Sequence, residues 1–279
     1  MVYGSFFGGI YIKELDPDTG LSADGNPKSL GICISRKGPD SPLDGPEGAA
    51  VIYVPETGYY YLFQSYGWLG ENYDIRVGRS RCVTGPYVDR KGRDLKEQAL
   101  GEKVARSYRF RASCPNAGND VPEWAWDGFR APGHGVPFYD PQRKGYFFIH
   151  HVRDGAQVNK AIDLLGNRTS YRRHYMMIRP MFMIDGWPAF SPEPYVGEAL
   201  DISVPADAAC GMWEMLFFDD ESNDMKTSSE YFLSPDSPYF KRGRLHQCWD
   251  FENRKLTIAL TGTDNFGVAY WGKLLYNHV

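Results

Sequence analysis

The residue whose type and position most readily suggest chemistry is Glu47, in the stretch "SPLDGPEGAAVIYVPETGYYYLFQSYG". It follows "DGP" and opens an apolar run that reads as a buried strand. A carboxyl held against apolar surroundings keeps its neutral form, which a general acid for a glycosidic oxygen needs near neutral pH. Local spacing alone leaves a second reading open, a loop glutamate facing water, and Asp44 three residues earlier is read that way.

His134, in "APGHGVPFYD", has glycine on both sides just before an apolar strand. Flanking glycines allow close backbone approach around an imidazole that holds a metal or a water, or that is simply structural. His150 and His151 end the following strand. Alternation puts them on opposite faces, so one is a candidate core histidine, and neither is given a role. Tyr66, Trp68, Trp124 and Trp126 lie at or just beyond strand ends, where a flat ring can stack on a sugar or pack in the core. Arg76 and Arg79 are three apart on a strand and face opposite sides, so one must be buried or paired.

The elements that would position these groups are strands. Aromatic residues make up 15% of the 279 residues, with 30 Gly and 19 Pro, a composition that suits short strands joined by tight turns. "AAVIYV-PETG-YYYLFQSY", "GVPFYD-PQRK-GYFFIHHV" and "MMIRPMFM-ID-GWPAF" each read as strand, turn, strand, and "NYDIRVGRSR" and "GPYVDRKG" continue the series. Successive antiparallel hairpins favour a sandwich, a barrel or a propeller over a βαβ arrangement. The hairpins at 49–66 and 135–152 resemble each other in shape, as propeller blades would. One short helix is expected, "DLKEQALGEKVA" at 94–105. A domain junction is placed near residue 196, within the Pro-rich "SPEPYVGE", dividing the chain into 1–196 and 197–279.

Several function classes drop out. A net charge of −4 favours neither nucleic acid nor an acidic membrane surface as partner. Five cysteines without a CxxC pair indicate neither a zinc site nor a disulfide framework, and they are read mostly as buried thiols. The first residues have no basic segment followed by an apolar one, so no signal peptide is expected in this chain, and no run approaches the ~18 apolar residues of a membrane span. No GxSxG, P-loop, dinucleotide fingerprint or HExxH is present.

Taken in order, "YGSFFGGIYIKELDPDTG", "PEGAAVIYVPETGYYYLFQSYGWLGENYDIRVGRSRCVTGPYVD", "APGHGVPFYD" and "MFMIDGWPAFSPEPYVGE" resemble glycoside hydrolase family 43, above all its longer endo-1,5-α-L-arabinanases with a C-terminal β domain. The resemblance runs through about 1–198 and more weakly through "LTGTDNFGVAYWGK". It implies an all-β fold, the later blades of a five-bladed propeller followed by a β-barrel or sandwich. It implies hydrolysis of arabinan with inversion and Glu47 as general acid; on that reading Tyr66, Trp68 and Arg76 are taken as sugar contacts. His134 falls on the family histidine near a central metal, so calcium is expected close to it, through water. The family's "EGP" or "EAP" is "EGA" here, and its "GHN" is "GHG".

The resemblance also carries an expectation about what faces Glu47. The family's general-base Asp and the Asp that orients the acid come from blades before "YGSF", and Asp16 and Asp18, in an ordinary turn, are poor substitutes. Both carboxylates are therefore expected from a preceding part of a longer protein or from a second chain completing the propeller. The expected substrate is plant cell-wall arabinan or arabino-oligosaccharide, met outside the cell or in the periplasm. Two other readings stay open: a carbohydrate-binding or structural β protein without catalysis, and an arabinofuranosidase or xylosidase of the same family.

Overall fold

The computed structural model describes residues 1–109 apart from 40, 42, 70, 71 and 98; 129–154; 174–197 apart from 185, 192 and 193; and 200, 211–218, 225–234, 244–250, 255–261 and 269–274. Among these residues every regular element is a strand. The first sheet comprises β1 (Val2–Ser5), β2 (Gly9–Ile12) and β3 (Ile32–Ser35). The second comprises β4 (Glu47–Val54), β5 (Tyr59–Tyr66), β6 (Asp74–Ser80) and β7 (Glu102–Ala105). Both are antiparallel meanders in chain order, with β1 packed beside β4.

The third sheet begins with β8 (Tyr108–Arg109) and continues through β9 (Phe129–Asp140), β10 (Gly145–Asp154), β11 (Tyr175–Ile184) and β12 (Trp187–Phe190). β4 packs beside β9, so β1, β4 and β9 are the adjoining inner strands of three successive blade-like sheets. A five-stranded antiparallel sheet follows, built from β13 (Gly211–Phe218), β15 (Ser229–Leu233), β16 (Arg244–Asp250), β17 (Lys255–Thr261) and β18 (Ala269–Leu274). Between β13 and β15, β14 (Lys226–Thr227) leaves this sheet and pairs in parallel with β8. Lys226 N donates to Ser107 O at 2.9 Å, Ser228 N to Arg109 O at 3.0 Å, and Arg109 Nε to Thr227 Oγ1 at 2.8 Å.

Turn chemistry sets the hairpins. In "PETG" the Gly58 N–H donates to Val54 O at 2.9 Å while Gly58 takes a φ of 67°, a conformation open to glycine. In "PQRK" the Asp140 carboxylate accepts from the N–H groups of Gln142 and Arg143, closing the turn between β9 and β10. The three hairpins expected from sequence are all present.

The middle sheet is buried on both faces, which is why β5 reads as a continuous aromatic and apolar run. Its odd positions Tyr61 and Phe63 join Phe148, Trp187 and Phe190 of the third sheet in one core. Leu62, between them, points the other way and packs with Ile10 and Ile34 of the first sheet. Arg79 fastens the second and third sheets: its guanidinium lies over the rings of Tyr59 and Trp187 and donates to Gly186 O at 2.6 Å.

Two expectations fail. The described residues of 94–105 are not helical: they form a turn and then β7, which pairs with β6. Their helix-forming composition is overridden because Leu95 and Ala99 are drawn into the core with Ile10 and Ile34, and Gly101 takes a φ of 92°. The two described cysteines are also less buried than expected, Cys33 being a half-buried thiol and Cys82 an exposed one. Cys114 and Cys210, and the side chain of Cys248, lie outside the described residues.

Candidate functional site

Glu47 is the first residue of β4 and pairs with Ser65 of β5. The next paired position on β4 is Ala50, opposite Phe63, so β4 carries one residue more than β5 across this interval. This is a β-bulge, with Gly48 at a φ of 64° supplying the left-handed step. His134 sits in a bulge too. Between Val136 and Gly133, β9 has two residues where β10 has only His150, and His134 takes a φ of 48°. The bulge turns the imidazole out to solvent although both flanking glycines are buried.

The two bulges dock against each other. A Cβ on Gly48 would lie 2.9 Å from His134 Cα and 3.1 Å from its Cγ, so only glycine lets the backbones meet. His134 N donates to Ser65 Oγ at 3.0 Å, tying the second bulge to the residue paired with Glu47. Gly135 is in contact with Phe148 and His150, and Gly133 faces the ring of Tyr73.

Tyr73, just before β6, is buried and donates its hydroxyl to Glu47 Oε1 at 2.7 Å. Burial, then the Glu47 carboxylate, pushes its phenol above the ordinary tyrosine range. The Tyr73 ring stacks on His151, with centroids 5.7 Å apart and planes 9° apart. His151 Nδ1 lies 3.0 Å from His174 Nδ1, a distance that requires one ring to donate and the other to accept. Burial, then the neighbouring His174, lowers His151 to about 4. A cavity of about 400 Å³ opens beside this pair, lined by His134, His151, His174, Tyr175 and Met176 among others.

His150 points to the opposite side and is the core histidine of the pair. Its Nδ1 faces His151 O at 2.8 Å and its Nε2 faces Arg179 Nε at 2.9 Å. A carbonyl can only accept and a guanidinium only donate, so the proton is on Nδ1 and the ring is neutral. Burial, with Arg179 second, holds its pKa well below the ordinary value.

The remaining assigned residues divide. Trp68, beyond β5 at the same end of the sheet as Glu47, is 61% exposed, and Asn72 Oδ1 accepts from its N–H at 2.7 Å. Tyr66 and Arg76 do not meet the expectation of sugar contacts, being 0% and 1% exposed. Arg76 Nε reaches both Asp74 oxygens, at 3.2 and 3.0 Å, and its guanidinium lies 5.7 Å from the Tyr66 ring centroid. Both are support beneath the surface because strand alternation turns them into the fold. Trp124 and Trp126 lie outside the described residues. Asp16 is confined to its own turn, accepting from Thr19, and Asp44 pairs with Lys37 at 2.7 Å.

Sequence reading missed Tyr73, His174 and the partnership of Gly48 with His134. The only signal for Tyr73 was its place at the β6 end that lies alongside Glu47. For a metal, the described residues offer His134 without a cluster of three or more His, Cys, Asp or Glu side chains able to hold an ion. Calcium takes six to eight oxygen ligands, so this donor set does not fit a direct calcium site.

No family profile matches the chain. It is 29% identical, over 98% of its length, to an extracellular endo-α-(1→5)-L-arabinanase of Thermotoga petrophila, and spans 60% of that protein. It is 32% identical, over 72% of its length, to the extracellular endo-α-(1→5)-L-arabinanase 2 of Bacillus subtilis, and spans 40% of it. The crystal structure of a glycoside hydrolase family 43 protein from Bacillus licheniformis superposes with a TM-score of 0.69 at 27% identity, covering 99% of this chain and 65% of that one.

Proposed function

From a homology to the arabinanases of glycoside hydrolase family 43 that runs through 98% of the chain, we propose that it is the acid-bearing part of an arabinan-cleaving hydrolase. The observation that carries the reading is the placement of Glu47, its carboxylate held by Tyr73 at the mouth of three adjoining inner strands. Glu47 donates the proton to the leaving glycosidic oxygen. Trp68, exposed at the same end of the sheet, offers its ring face to a sugar.

Inversion needs a second carboxyl about 6.5–9.5 Å away, activating water on the opposite side of the scissile bond. Asp16, Asp44 and Asp74 are engaged elsewhere. In this proposal the base and the Asp that orients Glu47 come from outside the described residues. His134 contributes by holding an ordered water, and no step runs through a metal. The substrate is met outside the cell, as the names of the relatives indicate for those proteins.

The test is hydrolysis of linear arabinan, by this chain and by any longer form of the protein, with Glu47→Gln as control. Loss of about a hundredfold or more in kcat on that substitution supports the assignment. Arabinan binding without turnover in every form overturns it in favour of a binding module. Release from aryl glycosides without attack on the polymer moves the substrate to that of an arabinofuranosidase or xylosidase.

A further inference from the structure

We infer that Tyr73 is the positioning residue of the acid: its hydroxyl fixes Glu47 Oε1 as the acceptor oxygen, so that Oε2 is the oxygen that carries and delivers the proton. The inference rests on the reading of Glu47 as general acid and adds a residue and an atom assignment to it.

Three contacts leave the Tyr73 ring little freedom. One face stacks on His151 at nearly parallel planes. Gly133 closes in so tightly that a Cβ there would lie 2.0 Å from ring atoms Cδ1 and Cε1. The hydroxyl meets Glu47 Oε1 at 2.7 Å, and Glu47 itself pairs with Ser65 across the sheet. His151 is held in turn by His174, and Ser65 by the His134 N–H. The hydroxyl is thus aimed by two neighbouring inner strands and by β10, and not by the chain around Tyr73 alone.

The chemistry follows from donor rules. A protonated carboxyl has one O–H and one carbonyl oxygen, and a phenol O–H donating to it goes to the carbonyl oxygen, the better acceptor of the two. With Oε1 occupied in this way, the Glu47 proton resides on Oε2. After transfer to the leaving oxygen, the same phenol stabilises the carboxylate without moving, since a donor to a charged oxygen is stronger than one to a neutral oxygen. Binding of the sugar does not require this bond, whereas proton transfer does.

Two measurements on the full chain, or on its longest active form, test the inference. Tyr73→Phe keeps the ring, its stacking and its burial, and is expected to lower kcat on arabinan by about ten- to a hundredfold with KM within about twofold. Separately, labelled tyrosine followed by NMR across alkaline pH reads the Tyr73 phenol: in Glu47→Gln it should titrate at lower pH than in the wild type, because the anion beside it is gone. Unchanged kcat in an active Tyr73→Phe enzyme, or an unchanged Tyr73 titration in Glu47→Gln, overturns the positioning role. If the wild type and every longer form fail to hydrolyse arabinan, the reading of function falls instead, while the titration still decides whether Tyr73 holds Glu47.

Discussion

Replacing Gly133 with alanine tests the docked bulges without touching a polar group. The added carbon would sit 2.0 Å from Tyr73 Cδ1 and Cε1. Carbon atoms pack comfortably at about 3.5–4.0 Å, so the ring or the strand must give way by about 1.5 Å. The ring cannot simply slide, because His151 stacks on it and its hydroxyl is engaged at 2.7 Å. A shift of that size stretches the bond to Glu47 past the ~3.2 Å that ordinary hydrogen bonds tolerate. Overpacking a filled interior costs about 1–3 kcal/mol. Gly133→Ala should therefore lower stability by that amount and lower arabinan kcat to a similar degree as loss of the Tyr73 hydroxyl. Urea unfolding followed by tryptophan fluorescence, paired with initial rates, gives both numbers. Gly38→Ala, where the new carbon meets only Glu97 O at 3.6 Å, is the control and should stay within about 0.5 kcal/mol of wild type. A Gly133→Ala protein with wild-type midpoint and wild-type rate would refute the claim that this contact locks Tyr73.

Two other predictions concern charge. His150 and His151 are both depressed in the fold, below the ordinary 6.5. The unfolded chain therefore takes up protons that the folded chain refuses, so their contribution is complete above pH 6.5 and is lost as pH falls, for His151 down to about 4. Unfolding free energy should fall with acidification by up to about 1.4 kcal/mol per pH unit for His150, with a smaller part from the less buried His151. His150→Gln should flatten that slope by about one proton, and an unchanged slope would contradict the assignment. Arg76→Ala strands the fully buried Asp74 carboxylate and should cost about 3–5 kcal/mol in urea unfolding, while Arg76→Met with Asp74→Leu should recover most of it. A single variant as stable as wild type would show that the pair is not what satisfies Asp74.

Hairpins were legible because their turns are local chemistry: "PETG" and "PQRK" close through residues at most four apart. Glu47 and His134 were legible as residue types in a motif order, and neither bulge was. Period-2 alternation predicts which face a side chain takes only while pairing stays in register, and one extra residue on β4 or β9 resets it. Gly48 shows why the site's construction was hidden: its requirement comes from His134, 86 positions away in sequence (134 less 48). The false helix at 94–105 has the same origin, a local preference overruled by a distant core. Tyr66 and Arg76 were misplaced because an aromatic or basic residue at a strand end looks the same in sequence whether it faces sugar or interior.

The parallel pairing of β14 with β8 also sets an order of assembly on the ribosome. Thr227, 118 residues later, must be made before its bond from Arg109 Nε and the backbone bonds from Lys226 and Ser228 to β8 can form. At about 5–20 residues per second, synthesis alone imposes a delay of roughly 6–24 s. Through that interval the first two sheets can already be folded, while the side of β8 that receives β14 awaits its strand. During that delay this side of β8 offers an edge to a chaperone or to the wrong strand.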